Sequence, residues 1–351
     1  MQLGISLYTS VDKALTVHTM DKAKEKGMHI AFSSLQIPEE QHLDVLERFH
    51  SLQQYAVSSD IRIFTDISRQ TVHTLHLQSV RDLRQYGVEY IRLDDGFTSE
   101  EMKELSKVFH IVVNASASED TLKEILEQCD STRICACHNY YPEPYTGLSL
   151  EYVQERNVFF HQYGIQTIGF IPGNHHLRGP LYEGLPTVES HRWNKDGIVK
   201  NVLELCNAGT DIVLIGDIDV QDSDWDVLGD LQQDFLKVPV HCTQSFDPYM
   251  SIVHHDRKDY SEWMFRSVES RQLQIEQIVP FHTVERVRGS ICINNQTFGR
   301  YAGELSIAKK DMPADERVNV VGHISLEYMQ LIDLIDSATG IQMIEAEKDE
   351  S

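Results

Sequence analysis

The chain of 351 residues carries 54 acidic against 31 basic side chains, a formal net charge of −23. That balance argues against nucleic-acid or anionic-membrane binding through a general field, and it means that any anionic ligand must meet a local arginine cluster or helix N-terminus. The length suits a barrel-sized domain followed by a smaller one, with 41% hydrophobic residues to build their cores.

The N-terminal stretch MQLGISLYTSVDK lacks the basic flank and apolar run of an export signal, and no later stretch approaches the roughly 20 apolar residues of a membrane span. A soluble cytoplasmic protein is expected, and its six dispersed cysteines (129, 135, 137, 206, 242, 292) are expected as free thiols.

Eight short apolar runs follow in order: LGISLY from Leu3, IAFSSL from Ile30, RIFTDIS from Arg62, EYIRLDD from Glu89, HIVVNAS from His110, RICACHN from Arg133, TIGFIPG from Thr167 and DIVLIGD from Asp211. Each reads as a buried parallel strand. The polar segments between them read as helices. Several stop at a glycine (Gly27, Gly87, Gly164, Gly209), and Thr98 and Ser118 are placed to cap helix starts. Eight strand–helix units predict a TIM-type (β/α)8 barrel over residues 1–236, with a doubly wound open sheet as the alternative α/β string. No Gly-x-Gly-x-x-Gly follows the first strand, which weighs against a dinucleotide cofactor.

From about residue 237 the texture changes. VPVHCTQSF and VERVRGSICINNQTFGRYAGELSIAKKDMPADERVNVVG alternate β-branched and polar residues, with Asn294-Asn295 and Met312-Pro313 as punctuation. A small, mostly β domain of antiparallel strands is predicted over 237–351, with one helix at about Leu326–Ser337, a last strand at Ile341–Ile344 and the frayed acidic tail EAEKDES.

In a barrel, chemistry gathers at the C-terminal strand ends. These ends carry Ser6 and Tyr8, Gln36 and Glu39, Asp66, Arg92 with Asp94 and Asp95, Asn114, His138 and Asn139, and Asp217. Alternation along the fourth strand sends Arg92 and Asp94 to one face and Ile91 and Leu93 to the other. An Arg–Asp pair that merely closes the interior is the plain structural reading. Cys135, Cys137 and His138 look like metal ligands, but cysteines alternating on a buried strand favour core packing, and no metal is expected. The pairs His175-His176 and His254-His255 would point to opposite faces of an extended strand. No nucleophile elbow or Walker loop occurs.

What remains is carboxylates, together with the aromatic residues Tyr8, Tyr140, Tyr141, Tyr145 and Tyr182. That combination fits glycoside chemistry, in which one carboxyl protonates the leaving oxygen and another attacks or activates water. The stiff stretch RGPLYEGLPTVESHR follows the seventh strand, where barrels often bind phosphate, so Arg178 is a natural anion clamp.

The stretches LGISLYTS, SSLQIPEE, RLDDGFTSEE, CHNYYPEPYTGLS, GFIPGNHHLRGPLYEGLPTVESHR, IGD at 215–217 and GRYAGELSIAKKDMPADERVNVVG are long and specific. Through them the chain resembles, over essentially its whole length, the bacterial 6-phospho-N-acetylmuramidases of the MupG (former DUF871) family. The resemblance implies a TIM barrel followed by a cyclophilin-like β domain. It implies an intracellular hydrolase cleaving N-acetylmuramic acid 6-phosphate from N-acetylglucosamine during cell-wall recycling, its substrate phosphorylated on uptake. Asp95 departs from the aromatic residue expected there in many relatives.

Asp94 and Glu183 are the first choices for the two carboxyl functions, with Asp217 and Asp66 in reserve. Arg178 is the phosphate ligand, aided by Arg92 or Arg300, while Asn139, Asn114, Tyr182, Tyr8 and His138 are candidates to meet the sugar. The partner expected is the phosphorylated disaccharide, with no cofactor, nucleic acid or membrane, and homo-oligomer formation stays open. A phosphosugar isomerase, epimerase or aldolase on the same barrel, or a binding protein without turnover, is the competing reading. A Schiff-base aldolase lacks its lysine at the eight strand ends.

Overall fold

The computed structural model describes residues 1–40, 44–94, 96–195, 197–243, 246–273, 275 and 277–346. Asp95 and the end of the acidic tail lie outside these residues. The chain divides into two compact units, Met1–Gln232 and Gln233–Ser351. Among the described residues no helix is long and apolar enough to cross a membrane.

The first unit is a closed parallel barrel of eight strands in sequence order: β1 Gln2–Ser6, β2 Ile30–Ser34, β3 Arg62–Ile67, β4 Tyr90–Leu93, β5 His110–Asn114, β6 Ile134–Cys137, β7 Gln166–Ile171 and β8 Ile212–Ile215. All eight apolar runs become strands because both faces are covered. Outward residues such as Leu3, Ile63, Ile91 and Ile111 are buried beneath helices, while inward residues build a separate interior. That interior is filled by Phe32, Phe64, Val112, Cys137, Ile168, Phe170, Ile212 and Leu214. The Phe32 and Phe170 rings meet edge to face at 5.3 Å. Cys137 therefore serves the core, and burial pushes its thiol up to about 12.

The helices start where capping residues predict. Thr98 forms a capping box with Glu101, and Ser118 accepts from the Thr121 amide. The third connection departs from the one-helix pattern: a short helix Arg69–Thr74 and a 3-10 helix Val80–Tyr86 replace it. The latter ends on Gly87 at φ 84°, in the left-handed region where a side chain would be strained.

The second unit is a seven-stranded mixed sheet of β9 Phe235–Cys242, β10 Val253–His254, β11 Met264–Arg266, β12 Ser290–Asn294, β13 Leu305–Ala308, β14 Val318–Ile324 and β15 Gly340–Glu345, in the order β10-β15-β9-β14-β12-β13-β11. Its pairings are antiparallel except β15 with β9, whose long connection permits a parallel crossover. The helix expected at Leu326–Ser337 is only a 3-10 turn, Leu326–Leu331. Burial there falls on Leu331, Ile332 and Ile335 while Leu326 is 88% exposed, so no continuous apolar stripe supports a longer helix.

Gly4 sets the spacing on the inner face of β1. A Cβ there would lie 2.3 Å from the Ile30 carbonyl oxygen and 2.7 Å from Leu214 Cδ2. Gly4→Ala is expected to destabilise the barrel by about 1–3 kcal/mol, read as a lower urea midpoint with an unchanged slope.

Candidate active site

Strand register assembles the floor of the barrel mouth. Ser34 is the ladder partner of Asp66, and Asp66 that of Arg92, so three inward side chains from β2, β3 and β4 stand in one layer above the apolar interior. Arg92 Nη1 donates to Asp66 Oδ1 at 2.6 Å, both side chains being buried. Ser34 Oγ and Gln36 Nε2 donate to Asp66 Oδ2 at 2.9 and 2.6 Å, and Arg92 Nη2 donates to Asn139 Oδ1. Burial opposes the Arg92 charge most strongly, but Asp66, Cys137 and Asp94 together outweigh it and raise the guanidinium pKa. The pair is thus a buried ion pair whose remaining polar atoms are mostly satisfied, although Arg92 Nε has no partner.

Asp94 stands half-buried just beyond β4, and the same Gln36 amide that serves Asp66 also donates to Asp94 Oδ2, at 3.2 Å. The two carboxylates therefore face one another across a single NH2 group, their bonded oxygens less than about 6 Å apart. Above them opens a cavity of about 310 Å3 whose lining includes Gln36, Asp66, Arg92, Asp94, Asn139 and Tyr141, with Phe32, Tyr140 and Phe170 as its apolar side.

A second polar group packs beside this cavity. Asp217, following β8, is fully buried and accepts three backbone amides: Gly173 at 2.9 Å, Arg178 at 2.9 Å and Leu185 at 3.0 Å. Burial pushes its carboxyl pKa up against the pull of those donors. Both ends of the loop after β7 are tied to this one side chain. Arg178 lies over the Tyr8 ring at 4.5 Å, with Nη2 3.9 Å from Glu40 Oε1 and Nε buried without a partner. Glu40 is held by Thr9 and Ser10, and Tyr8 donates its hydroxyl to the Gly216 carbonyl. Burial raises the Tyr8 pKa, so its hydroxyl stays protonated. Gly216 permits the close approach, since a Cβ there would lie 2.2 Å from the Leu185 carbonyl oxygen.

The far end of the loop turns on Arg192, which is buried with every donor nitrogen engaged. Nε and Nη2 grip Glu189 at 2.8 and 3.0 Å, Nη1 donates to the Gly184 carbonyl at 2.8 Å and Nη2 to that of Tyr141 at 2.6 Å. Between the anchors, Tyr182 is 63% exposed at φ 57° and Glu183 is exposed, its carboxylate without a partner among the described residues.

Of the residues singled out in the sequence, Asp66, Asp94, Arg92 and Asn139 gather on the cavity, and Tyr8, Arg178 and Asp217 form the neighbouring cluster. Asp217 acts there as a backbone clamp. Asn114, at the end of β5, accepts from the Ser116 amide at 2.9 Å. Arg300 lies in the second unit, stacked over Tyr301. His138, expected among the sugar ligands, contributes to the cavity lining, but its ring turns to the helix Leu150–His161, with Nε2 2.8 Å from Asn157 Oδ1. The alternation that sends Cys137 inward sends His138 outward. His175 and His176 occupy a loop, their ring centroids 3.9 Å apart, and do not alternate across a strand. Gln36, noted at a strand end but given no role, and Glu40, not singled out, both stand in SSLQIPEE at the end of the second strand. Among the described residues no group of three His, Cys, Asp or Glu is placed to hold a metal.

Asp217→Ala leaves three amides without an acceptor and is expected to cost about 3 kcal/mol or more, with faster proteolytic cleavage between residues 173 and 185. Burial lowers the His138 pKa from 6.5 to about 4. The unfolded chain therefore binds more protons between these values, and the stability due to neutral His138 is full above about pH 6.5 and lost as pH falls toward 4. Unfolding free energy should drop by up to about 3 kcal/mol over that window, and His138→Gln should flatten the slope.

A family model described as 6-phospho-N-acetylmuramidase, N-terminal, matches residues 3–230, and one described as 6-phospho-N-acetylmuramidase, C-terminal, matches residues 236–344. The chain is similar to the crystal structure of an uncharacterized B. cereus protein, with 28% identity and a TM-score of 0.76 over 98% of this chain and 99% of that one. It is also similar to that of a conserved Enterococcus faecalis protein of unknown function, with 27% identity and a TM-score of 0.73 over 98% and 96%. No curated protein matches the chain.

Proposed function

The chain belongs to the 6-phospho-N-acetylmuramidase family, and we propose that it is a glycoside hydrolase separating N-acetylmuramic acid 6-phosphate from N-acetylglucosamine in the phosphorylated cell-wall disaccharide. In this reading it works in the cytoplasm in peptidoglycan recycling, and its second unit is the cyclophilin-like domain that the family resemblance implies. The observation that carries the chemistry is the pair of carboxylates, Asp66 and Asp94, sharing the Gln36 amide below an open cavity.

The two groups differ in environment, which separates their roles. Asp66 carries the ion pair with Arg92 on the cavity floor, so it is the nucleophile. Asp94 is half-buried at the rim and is the proton donor. Asp94 gives its proton to the glycosidic oxygen as the bond to N-acetylglucosamine breaks, and Asp66 forms an ester with the anomeric carbon. Water, deprotonated by Asp94, then cleaves that ester and restores both groups. The short separation fits retention of anomeric configuration, because inverting enzymes keep their carboxyls roughly 6.5–9.5 Å apart to admit water. Glu183, exposed on its loop, is the substitute acid.

Arg178 is assigned to the phosphate. It follows the seventh strand, its Nε is buried and unpartnered, and the Asp217 clamp fixes its backbone. Asn139 and Tyr141 line the cavity where sugar hydroxyls and the acetamido group would lie. Among the described lining residues there is no lysine, which leaves a Schiff-base aldolase without its amine.

Incubation of the purified protein with the phosphorylated disaccharide is expected to release free N-acetylglucosamine, and its absence would refute the substrate. Asp66→Asn and Asp94→Asn are each expected to lower kcat by about 10²–10⁴ with the fold retained. Near-wild-type rates in both would remove these roles. Proton NMR of the first-formed N-acetylmuramic acid 6-phosphate should show the anomer of the substrate.

A further inference from the structure

The barrel has a second opening, at the end where its strands begin. A cavity of about 440 Å3 lies there, lined among others by His29, Arg62, Tyr90, His110, Arg133 and Gln166. Arg62, Tyr90, His110 and Gln166 are the first residues of β3, β4, β5 and β7, and Arg133 immediately precedes β6. The parallel register that gathers Asp66 and Arg92 at the mouth thus gathers a cationic set at the opposite end.

The composition of that set is unusual for a chain of charge −23. Neither Arg62 nor Arg133 has an ion-pair partner among the described residues, and Arg133 Nε is buried with no hydrogen-bond partner at all. His110 stacks on Tyr90, ring centroids 4.6 Å apart and planes 21° from parallel. The carboxylates nearby are few. Asp60, itself on the cavity lining, is drawn to His29, with its Oδ2 3.4 Å from Nδ1, Glu89 acts on His110, and Asp130 feels the charge of Arg133 without pairing with it. Against Glu89, burial and both arginines lower the His110 pKa, so the local field is positive. Two guanidinium groups outside any ion pair, lining one cavity beside an imidazole, match the bidentate geometry of phosphate. The volume falls within the roughly 300–1,000 Å3 of small-molecule sites.

We infer that the strand-start end of the barrel is a second anion site, which takes a small phosphomonoester of monosaccharide size, its phosphate held by Arg62 and Arg133 and its ring against Tyr90. The site is independent of the chemistry assigned to the mouth, and the two are separable by mutation.

The experiment is an NMR titration of the His110 imidazole in the full chain, with glucosamine 6-phosphate as the probe and glucosamine as the control. An anion beside the ring stabilises the imidazolium, so saturating glucosamine 6-phosphate should move the His110 titration upward while glucosamine leaves it in place. Arg62→Met and Arg133→Met should each weaken the binding by about tenfold or more, whereas Arg178→Met, at the mouth, should leave the His110 response intact. Arg62 is exposed, so its variant reports on binding without threatening the fold. A His110 titration unmoved by millimolar glucosamine 6-phosphate would overturn the inference, as would equal affinity in the Arg62 and Arg133 variants. So would a response abolished by Arg178→Met.

Discussion

Asp217 stands after the last barrel strand with no surface open to water, and its two oxygens take the amide hydrogens of Gly173, Arg178 and Leu185. An ionised carboxylate buried without such donors would be several kcal/mol out of balance, so the loop and the carboxylate need each other. The consequence runs outward. With its backbone fixed, Arg178 settles over Tyr8 and beside Glu40, and Leu185 approaches Gly216 closely enough that no side chain fits there. Thr187 then returns to the seventh strand, exchanging hydrogen bonds with Phe170. A stretch with no periodicity of its own is shaped by a side chain more than thirty residues away.

The mouth is built by two different means. Asp66, Arg92 and Ser34 are set by strand register, which the whole barrel enforces, and they rest on interlocked aromatic rings. Arg178, Tyr182 and Glu183 are set by loop anchors. The register-built part holds the charges close to their partners, while the loop-built part presents Tyr182 and Glu183 to solvent. This division suits a site in which the reacting groups are rigid and the groups that admit the ligand are at the edge.

Much of this was legible in the residues. Eight apolar runs with polar ends predict eight buried strands, and alternation places Arg92 inside and Ile91 outside. Alternation also places His138 outside, but polarity at a strand end pulls the reading toward the mouth, and only the partner Asn157, on the next helix, decides. The roles of Asp217 and Gln36 were not legible because each depends on contacts across some 30 to 58 positions of sequence. A carboxylate that holds three amides and one that does chemistry look alike in a string of letters. The segment from Leu326 misleads for a related reason: its apolar residues are spaced for a helix, yet only its second half finds a core to bury against.

Arg192 joins the loop after β6, through Tyr141, to the loop after β7, through Gly184, and to Glu189, which in turn accepts the amides of Tyr145 and Gly147. With every donor nitrogen used and the side chain shut off from solvent, none of these segments can lift away without stranding a buried cation. Their openings are therefore coupled, and amide protons from Tyr141 to Glu189 that rely on this hub exchange with solvent as one cooperative unit.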